Sequence, residues 1–197
     1  MQTAALNPRT AALNGFAATL PGRILIGLGA TAIIAASAHV AIPLPFTPVP
    51  FTLQPLAVLG VGLAFAPIDA FLVLLAYLAE GACGLPVFAP SALGGGIPQL
   101  LGPTGGFLMA YPLVAAVVSS LTRLLRQRVR AFPAALIACH VAMAILFLSG
   151  AGWFMHYTHH NLYATWIGAV APFIPGEIVK AFAAAGIYSA LTRSTRT

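Results

Sequence analysis

Residues 133–152 read PAALIACHVAMAILFLSGAG and contain no charged side chain. A helix that crosses a bilayer needs about 20 mainly apolar residues, so this run has the length and composition of a membrane span. Across the whole chain of 197 residues, 60% are apolar and 6% are charged. A soluble domain usually carries about 25% charged residues, because it needs a solvated surface. The composition therefore predicts a single integral membrane domain.

Six apolar stretches, separated by proline-rich, glycine-rich or basic segments, have the character of membrane helices. We predict an all-α bundle of six transmembrane helices spanning residues 24–192. Residues 1–23 are then an N-terminal arm, and residues 193–197 a C-terminal tail. The predicted spans are Ile24–Ala41, Thr52–Phe65, Ile68–Leu85, Gly105–Leu125, Pro133–Gly152 and Pro175–Leu191.

The arginines predict the orientation, because short cytoplasmic loops are enriched in Lys and Arg. With six spans, all the arginines fall on one side, which places the arm, the tail and both chain ends in the cytoplasm of a cell-membrane protein. Ile42–Phe51, Pro86–Thr104 and Trp153–Ile174 lie on the outer side and contain no Lys or Arg. Long loops of this kind usually carry function. The arginines are Arg9, Arg23, Arg123, Arg126, Arg128, Arg130, Arg193 and Arg196.

The net charge of +6 does not indicate nucleic-acid binding. The basic residues form short clusters between apolar stretches, and no helix face carries a row of them that could follow phosphates. No Gly-Lys-Ser or Gly-Lys-Thr loop is present, so any ATP that drives this protein must bind to another chain.

The most informative motif is PFIPGEIVK at residues 172–180. It places Glu177 and Lys180 on one helix face near the outer end of the sixth span. Ionisable side chains inside membrane spans are costly and usually face a cavity or a partner. We predict that this pair forms the polar floor of a ligand site. The alternative is an ion pair at a helix end, with Glu177 favoured by the helix dipole.

Two further outer segments supply candidate binding residues. Gln54 follows a stiff proline-rich loop, where its amide either meets a ligand or forms a hydrogen bond between helices. The glycine-rich segment from Gly84 to Gly106 lets the backbone approach a ligand closely, and it contributes Phe88 and Gly105. Glu80, one turn before this segment, either pairs with a polar partner or lines the cavity.

His156, His159 and His160 form an outer cluster whose spacing can bind a metal ion. No Cys or carboxylate nearby completes a ligand set, and packing among interfacial aromatic residues is the alternative. Metal-ion uptake is therefore one competing function. A membrane-embedded enzyme is another, but the chain has no catalytic motif that we recognise, and we predict no catalytic residue, cofactor or resident metal. We add the interfacial Trp166 to the predicted binding residues.

Gly29, Ala32 and Ala36 form a stripe of small residues on the first span. Small residues at these spacings let another helix approach closely. The stripe predicts either docking of an energy-supplying partner or packing within the bundle.

Four motifs together resemble the BioY family. They are IPLP with PVPFTLQ at 42–54, GLPVF at 84–88, GPTGG at 102–106 and PFIPGExxK at 172–180. They occur in the family's order, although the family often has Asp at the position of Glu177 and Tyr at that of Phe107.

The resemblance implies a biotin-binding S component of an energy-coupling-factor (ECF) transporter, in which six helices capture the vitamin at the outer face. It also implies a partner module of one membrane coupling protein and two cytoplasmic ATPases, shared or dispensable in some relatives. The stripe of small residues on the first helix would be the docking surface for that module.

Overall fold

The computed structural model describes residues 19–91 and 93–194. Most of the predicted arm, including Arg9, and residues 195–197 of the predicted tail, including Arg196, lie outside this range. The helices are α1 (Leu20–His39), α2 (Gln54–Ala64), α3 (Pro67–Ala82), α4 (Gly96–Leu100), α5 (Gly105–Leu125), α6 (Ala131–Thr158), α7 (Leu162–Ala169) and α8 (Ile174–Ser194). The strands are β1 (Ala41–Leu44) and β2 (Thr47–Thr52).

Each of the six predicted spans coincides with a helix, but not every helix has the length of a span. Among the described residues, α1, α5 and α6 are long and apolar enough to cross a membrane. The pair α7 and α8, bent by 48°, makes a fourth candidate if it is counted as one span. The α2 helix has 11 residues and rises only about 16 Å, whereas the hydrocarbon core is about 30 Å thick.

The predicted proline-rich loop between the first two spans contains a short β-hairpin, which the all-α prediction did not include. The two strands pair antiparallel, with Ala41 opposite Thr52 and Ile42 opposite Phe51. Proline is normally excluded from strands because it has no N–H group to donate. In a two-stranded ribbon each strand has a free edge, so the prolines at 43, 48 and 50 can be accommodated there.

One end of the bundle carries Arg23 and Arg123, and we call it the basic end. Arg23 near the start of α1 forms an ion pair with Asp69 in the first turn of α3. Arg123 near the end of α5 donates a hydrogen bond of 3.2 Å to the carbonyl oxygen of Phe65, just after α2. The Ser119 hydroxyl donates to the same oxygen at 2.6 Å. These contacts fix which ends of four helices lie together.

The core is built from one apolar face of each long helix. The α5 and α6 helices pack along each other, and α5 also packs against α2 and α3, whereas α6 also packs against α8. The largest side chains that are fully buried come mainly from α2, α3 and α5, and the apolar ones of these three helices belong to one cluster. They include Val58, Leu59, Leu74, Tyr77, Val114 and Val118.

The α1 helix packs through one side only. Its buried side chains, Ala30, Thr31, Ile34 and Ala38, face the bundle. The predicted docking residues Gly29, Ala32 and Ala36 lie on the exposed side of the helix. A Cβ atom built on Gly29 meets no atom within 4 Å. In the described structure, the stripe is therefore not used for packing within the bundle.

Candidate functional site

A cavity of about 670 Å³, measured with its open mouth, lies at the end of the bundle opposite the basic end. The wall is mostly apolar and aromatic, with a few polar side chains. It is formed by Val49, Pro50, Thr52, Gln54, Pro55, Ala89, Ser91, Gln99, Thr104, Phe107, Leu108, Tyr111, Leu146, Phe147, Phe173 and Glu177.

The first turns of α8 bring the two predicted charged residues together at this cavity. Lys180 Nζ donates to Glu177 Oε1 at 2.6 Å, and both side chains are buried. Pro175 lies in the first turn of α8, where a missing N–H group costs nothing, so the helix can start directly beside the cavity. Glu177 lines the cavity, whereas Lys180 lies one turn further along the helix.

The second oxygen of Glu177 is the most unusual atom of the site. Glu177 Oε2 is buried and has no hydrogen-bond partner among the described residues. An unpaired carboxylate oxygen in a buried site is costly, so such atoms call for a specific explanation. A ligand that offers an N–H or O–H group to this oxygen would supply the missing hydrogen bond.

Aromatic rings complete the surroundings of the charged pair. Lys180 Nζ lies 4.1 Å from the centroid of the Phe51 ring, which is the geometry of a cation–π contact. The Phe51 ring stacks on Phe173, with centroids 6.3 Å apart and an interplanar angle of 9°. Gly176 makes room for this arrangement, because a Cβ atom there would lie 2.1 Å from the Phe51 ring.

A hydrogen-bonded chain of three residues supports the opposite wall. Gln54 Nε2 donates to the Tyr77 hydroxyl at 2.9 Å, and that hydroxyl donates to the carbonyl oxygen of Val87 at 2.7 Å. The chain links the start of α2, the middle of α3 and the loop after α3. One N–H group of the Gln54 amide is used here, which leaves the other N–H group and the amide oxygen for a ligand.

The segment between α3 and α5 closes the cavity from the side. Gln99 Nε2 donates to the carbonyl oxygen of Ala89 at 2.7 Å, which holds α4 against the loop after α3. The indole N–H of Trp153 donates to the carbonyl oxygen of Gly102 at 2.8 Å. A Cβ atom on Gly105 would lie 1.9 Å from the carbonyl oxygen of Leu100, so the close passage of the two backbones requires glycine.

The predicted binding residues are placed at different distances from the cavity. Glu177 and Gln54 line it, and Lys180 pairs with Glu177. Phe88 is buried behind the wall, where its ring packs edge-on against Tyr77 with centroids 5.5 Å apart. Gly105 follows the wall residue Thr104 in the chain.

Two predicted binding residues lie away from the cavity wall. Glu80 Oε1 accepts a hydrogen bond of 3.0 Å from the Thr31 hydroxyl and so links α3 to α1. Trp166 lies on α7 with 49% of its surface exposed. Neither residue is among those that form the wall. Their roles in binding stay predictions, without support from this geometry.

The histidine cluster makes ring contacts. The His156 ring lies 6.2 Å from that of Trp153, and the His160 ring lies 5.8 Å from that of Phe154. No group of three or more potential metal ligands occurs within residues 19–91 and 93–194. The structure thus gives no support to metal-ion uptake through these histidines.

Sequence reasoning missed several wall residues, including Thr52, Gln99, Tyr111, Phe147 and Phe173. Tyr111 and Phe147 belong to long apolar helices, where nothing in the local pattern separates a residue that lines a cavity from one in the core. Thr52 and Phe173 are different, because they lie inside the motifs at 42–54 and 172–180. Their neighbours in those motifs were the available signal.

Comparison with known proteins gives consistent matches over most of the chain. A solved structure of the S component for biotin from an ECF-type ABC transporter superposes with a TM-score of 0.78 at 26% identity, covering 87% of this chain and 90% of that one. The S component of a bacterial ECF transporter shares the fold, with a TM-score of 0.55 at 16% identity, covering 90% of this chain and 97% of that chain.

Two curated relatives are similar at the level of sequence. The probable biotin transporter BioY of Pyrococcus horikoshii is 36% identical over 75% of this chain and 83% of its own length. The biotin transporter BioY of Rhodobacter capsulatus is 38% identical over 79% of this chain and 85% of its own length. The model of the BioY family matches residues 9–197. The chain therefore belongs to the BioY family.

Proposed function

We propose that this protein captures biotin in the cavity, as the substrate-binding S component of an ECF-type transporter. The observation that carries the proposal is the buried Glu177–Lys180 pair, with one carboxylate oxygen left unpaired beside an apolar cavity. The names of the relatives supply the class of ligand.

The chemistry of biotin suits this wall. Its ureido ring offers two N–H donors and a carbonyl acceptor, and the oxygens of Glu177 and Gln54 are acceptors for such donors. Its bicyclic ring and chain are apolar and match the rings of Phe107, Phe147 and Phe173. A mostly apolar cavity with a small number of polar groups is typical of sites that bind a small ligand in one orientation.

Equilibrium binding of radiolabelled biotin to the purified protein tests this function. We expect Lys180→Ala to abolish or strongly reduce binding, because it removes the charged partner of Glu177 and a charge-assisted hydrogen bond. The variant with alanine at both His159 and His160 is the control, and we expect it to bind like the unaltered chain. Loss of binding in that control with binding retained in Lys180→Ala would contradict the proposal.

In the membrane, we propose that α1, α2, α3, α5, α6 and α8 form six spans, with the basic end and both termini in the cytoplasm. The short α2 would reach the outer surface through β2 and its prolines. The support is that Arg23 and Arg123 lie at one end of the bundle. Cysteines introduced at Thr158 and Gln127 test the arrangement in intact cells. If an impermeant thiol reagent labelled the cysteine at position 127 and not the one at position 158, the arrangement would be contradicted.

We further propose that the exposed stripe Gly29, Ala32 and Ala36 on α1 docks a module of one membrane coupling protein and two ATPases. Its exposure and its small side chains support a close helix contact. We expect Ala32→Trp to keep biotin binding by the isolated protein and to lose partner-dependent uptake. The control is Leu148→Trp, at a strongly exposed position of α6. Equal loss of uptake in both variants would argue against a specific docking face.

A further inference from the structure

The α7 helix presents two faces of different character. Thr165, Gly168 and Ala169 are buried against the rest of the protein. Leu162, Tyr163, Trp166 and Ile167 are exposed by 77%, 74%, 49% and 44%. At 3.6 residues per turn, these four side chains occupy an arc of roughly 140° on one side of the helix. The exposed face of α7 is thus apolar and aromatic throughout.

The composition and position of this face indicate what covers it. The helix has no charged residue, and a contiguous apolar patch of this kind marks an interaction surface. Tyr and Trp favour the level of the lipid headgroups, where one edge of the ring is wet and the other apolar. The axis of α7 departs from that of α8 by 48°, so α7 does not continue the path of the neighbouring span.

The buried face of α7 packs behind the cavity wall. The Thr47 hydroxyl donates a hydrogen bond of 2.6 Å to the carbonyl oxygen of Gly168, which ties α7 to the β-hairpin. Ala169 packs in one cluster with Val49, Phe154 and Phe173. Val49 and Phe173 also line the cavity. The position of α7 therefore sets the position of part of the wall.

We propose that α7 is an interfacial anchor: its exposed face binds the boundary between headgroups and acyl chains of the outer leaflet, and its buried face holds the hairpin at the cavity. The inference rests on the proposed membrane arrangement and goes beyond capture of biotin. It assigns Trp166 to a lipid contact rather than to the ligand. Because α7 carries no cation, the partner is a phospholipid surface in general and not an anionic lipid in particular.

Tryptophan fluorescence tests the anchor, since the chain has only two tryptophans. The Trp153→Phe variant leaves Trp166 as the single fluorescent tryptophan. It is reconstituted into nanodiscs of phosphatidylcholine whose acyl chains carry bromine, a quencher, either near the carbonyl end or near the methyl end. We expect the first lipid to remove most of the Trp166 emission, the second to remove less, and aqueous iodide to remove little. Size-exclusion chromatography checks that the variant is folded. If Trp153→Phe does not fold, the same signal is the difference between the unaltered chain and Trp166→Phe.

Two results would overturn the anchor. Strong quenching by iodide without quenching by either lipid means that the face is in water, and quenching by none of the three means that protein covers it. Binding of biotin, measured in the same nanodiscs with the unaltered chain, reports separately on the proposed function. We expect saturating biotin to leave the lipid quenching of Trp166 unchanged. Loss of that quenching on adding biotin would mean that Trp166 contacts the ligand, and it would contradict the anchor.

Discussion

Each end of the bundle carries an ion pair, and the two pairs differ in almost everything except their charges. Glu177 and Lys180 at the cavity have side chains that are 7% and 6% exposed, whereas Arg23 and Asp69 at the basic end are 57% and 32% exposed. An exposed pair contributes about 0–1 kcal/mol to stability, because water and salt screen it. Removing one partner of a buried pair costs about 3–5 kcal/mol, because the other charge is left without compensation. An ion pair alone therefore does not identify the functional site, whereas the burial of both charged side chains does.

The sharpest way to break this comparison is to remove one charge from the buried pair. We expect Lys180→Met to lower the free energy of unfolding by about 3–5 kcal/mol, since Glu177 then lies buried and unpaired. The double variant with Glu177→Gln should recover most of that loss but should not recover biotin binding. Thermal unfolding in detergent gives the first quantity and radioligand binding the second. A Lys180→Met protein as stable as the unaltered chain would show that the pair is solvated.

A smaller loss is expected when the Glu177–Lys180 pair is kept and only the Phe51 ring beside it is displaced. Gly176→Ala places a Cβ atom 2.1 Å from the Phe51 ring, so this ring, whose centroid lies 4.1 Å from Lys180 Nζ, must shift. Overpacking of this kind costs about 1–3 kcal/mol of folding free energy, and we expect biotin affinity to fall as well because the ring beside the site is displaced. Gly186→Ala on the same helix is the matched control, because its Cβ atom meets nothing within 4 Å. Equal affinities in the two variants would mean that Phe51 does not shape the site.

The smallest effect belongs to the exposed pair at the basic end. We expect Arg23→Gln and Asp69→Asn each to change the free energy of unfolding by less than about 1 kcal/mol and to leave biotin affinity unchanged. Both variants can be measured beside Lys180→Met under the same conditions. A loss in either of them as large as that in Lys180→Met would remove the distinction between the two ends.

The parts predicted from sequence are those whose signals are local in the chain. Glu177 and Lys180 are three residues apart, so a helix alone brings them together, and the structure places them at hydrogen-bond distance. The positions of the six main helices followed from apolar runs and their breakers. The two short helices, α4 and α7, were not predicted, because five and eight residues are too few to show a periodic pattern.

The parts that escaped prediction depend on contacts between distant positions. The hydrogen bond from Gln54 to Tyr77 joins residues 23 apart, and the one from Thr31 to Glu80 joins residues 49 apart. No spacing rule connects such pairs before the helices are packed. The hairpin escaped for another reason, since four prolines within ten residues argue against strands wherever both edges must be paired.

The burial of Lys180 has a practical consequence, because it is the only lysine in the chain. An amine-reactive acylating reagent has a single side-chain target in this protein, and the ion pair with Glu177 shields that target while the site is closed. Reaction requires a transient opening that separates the two charges. The acylation rate of Lys180, measured by mass spectrometry, thus reports how often the site opens. Without any introduced label, the chain carries its own reporter of that motion.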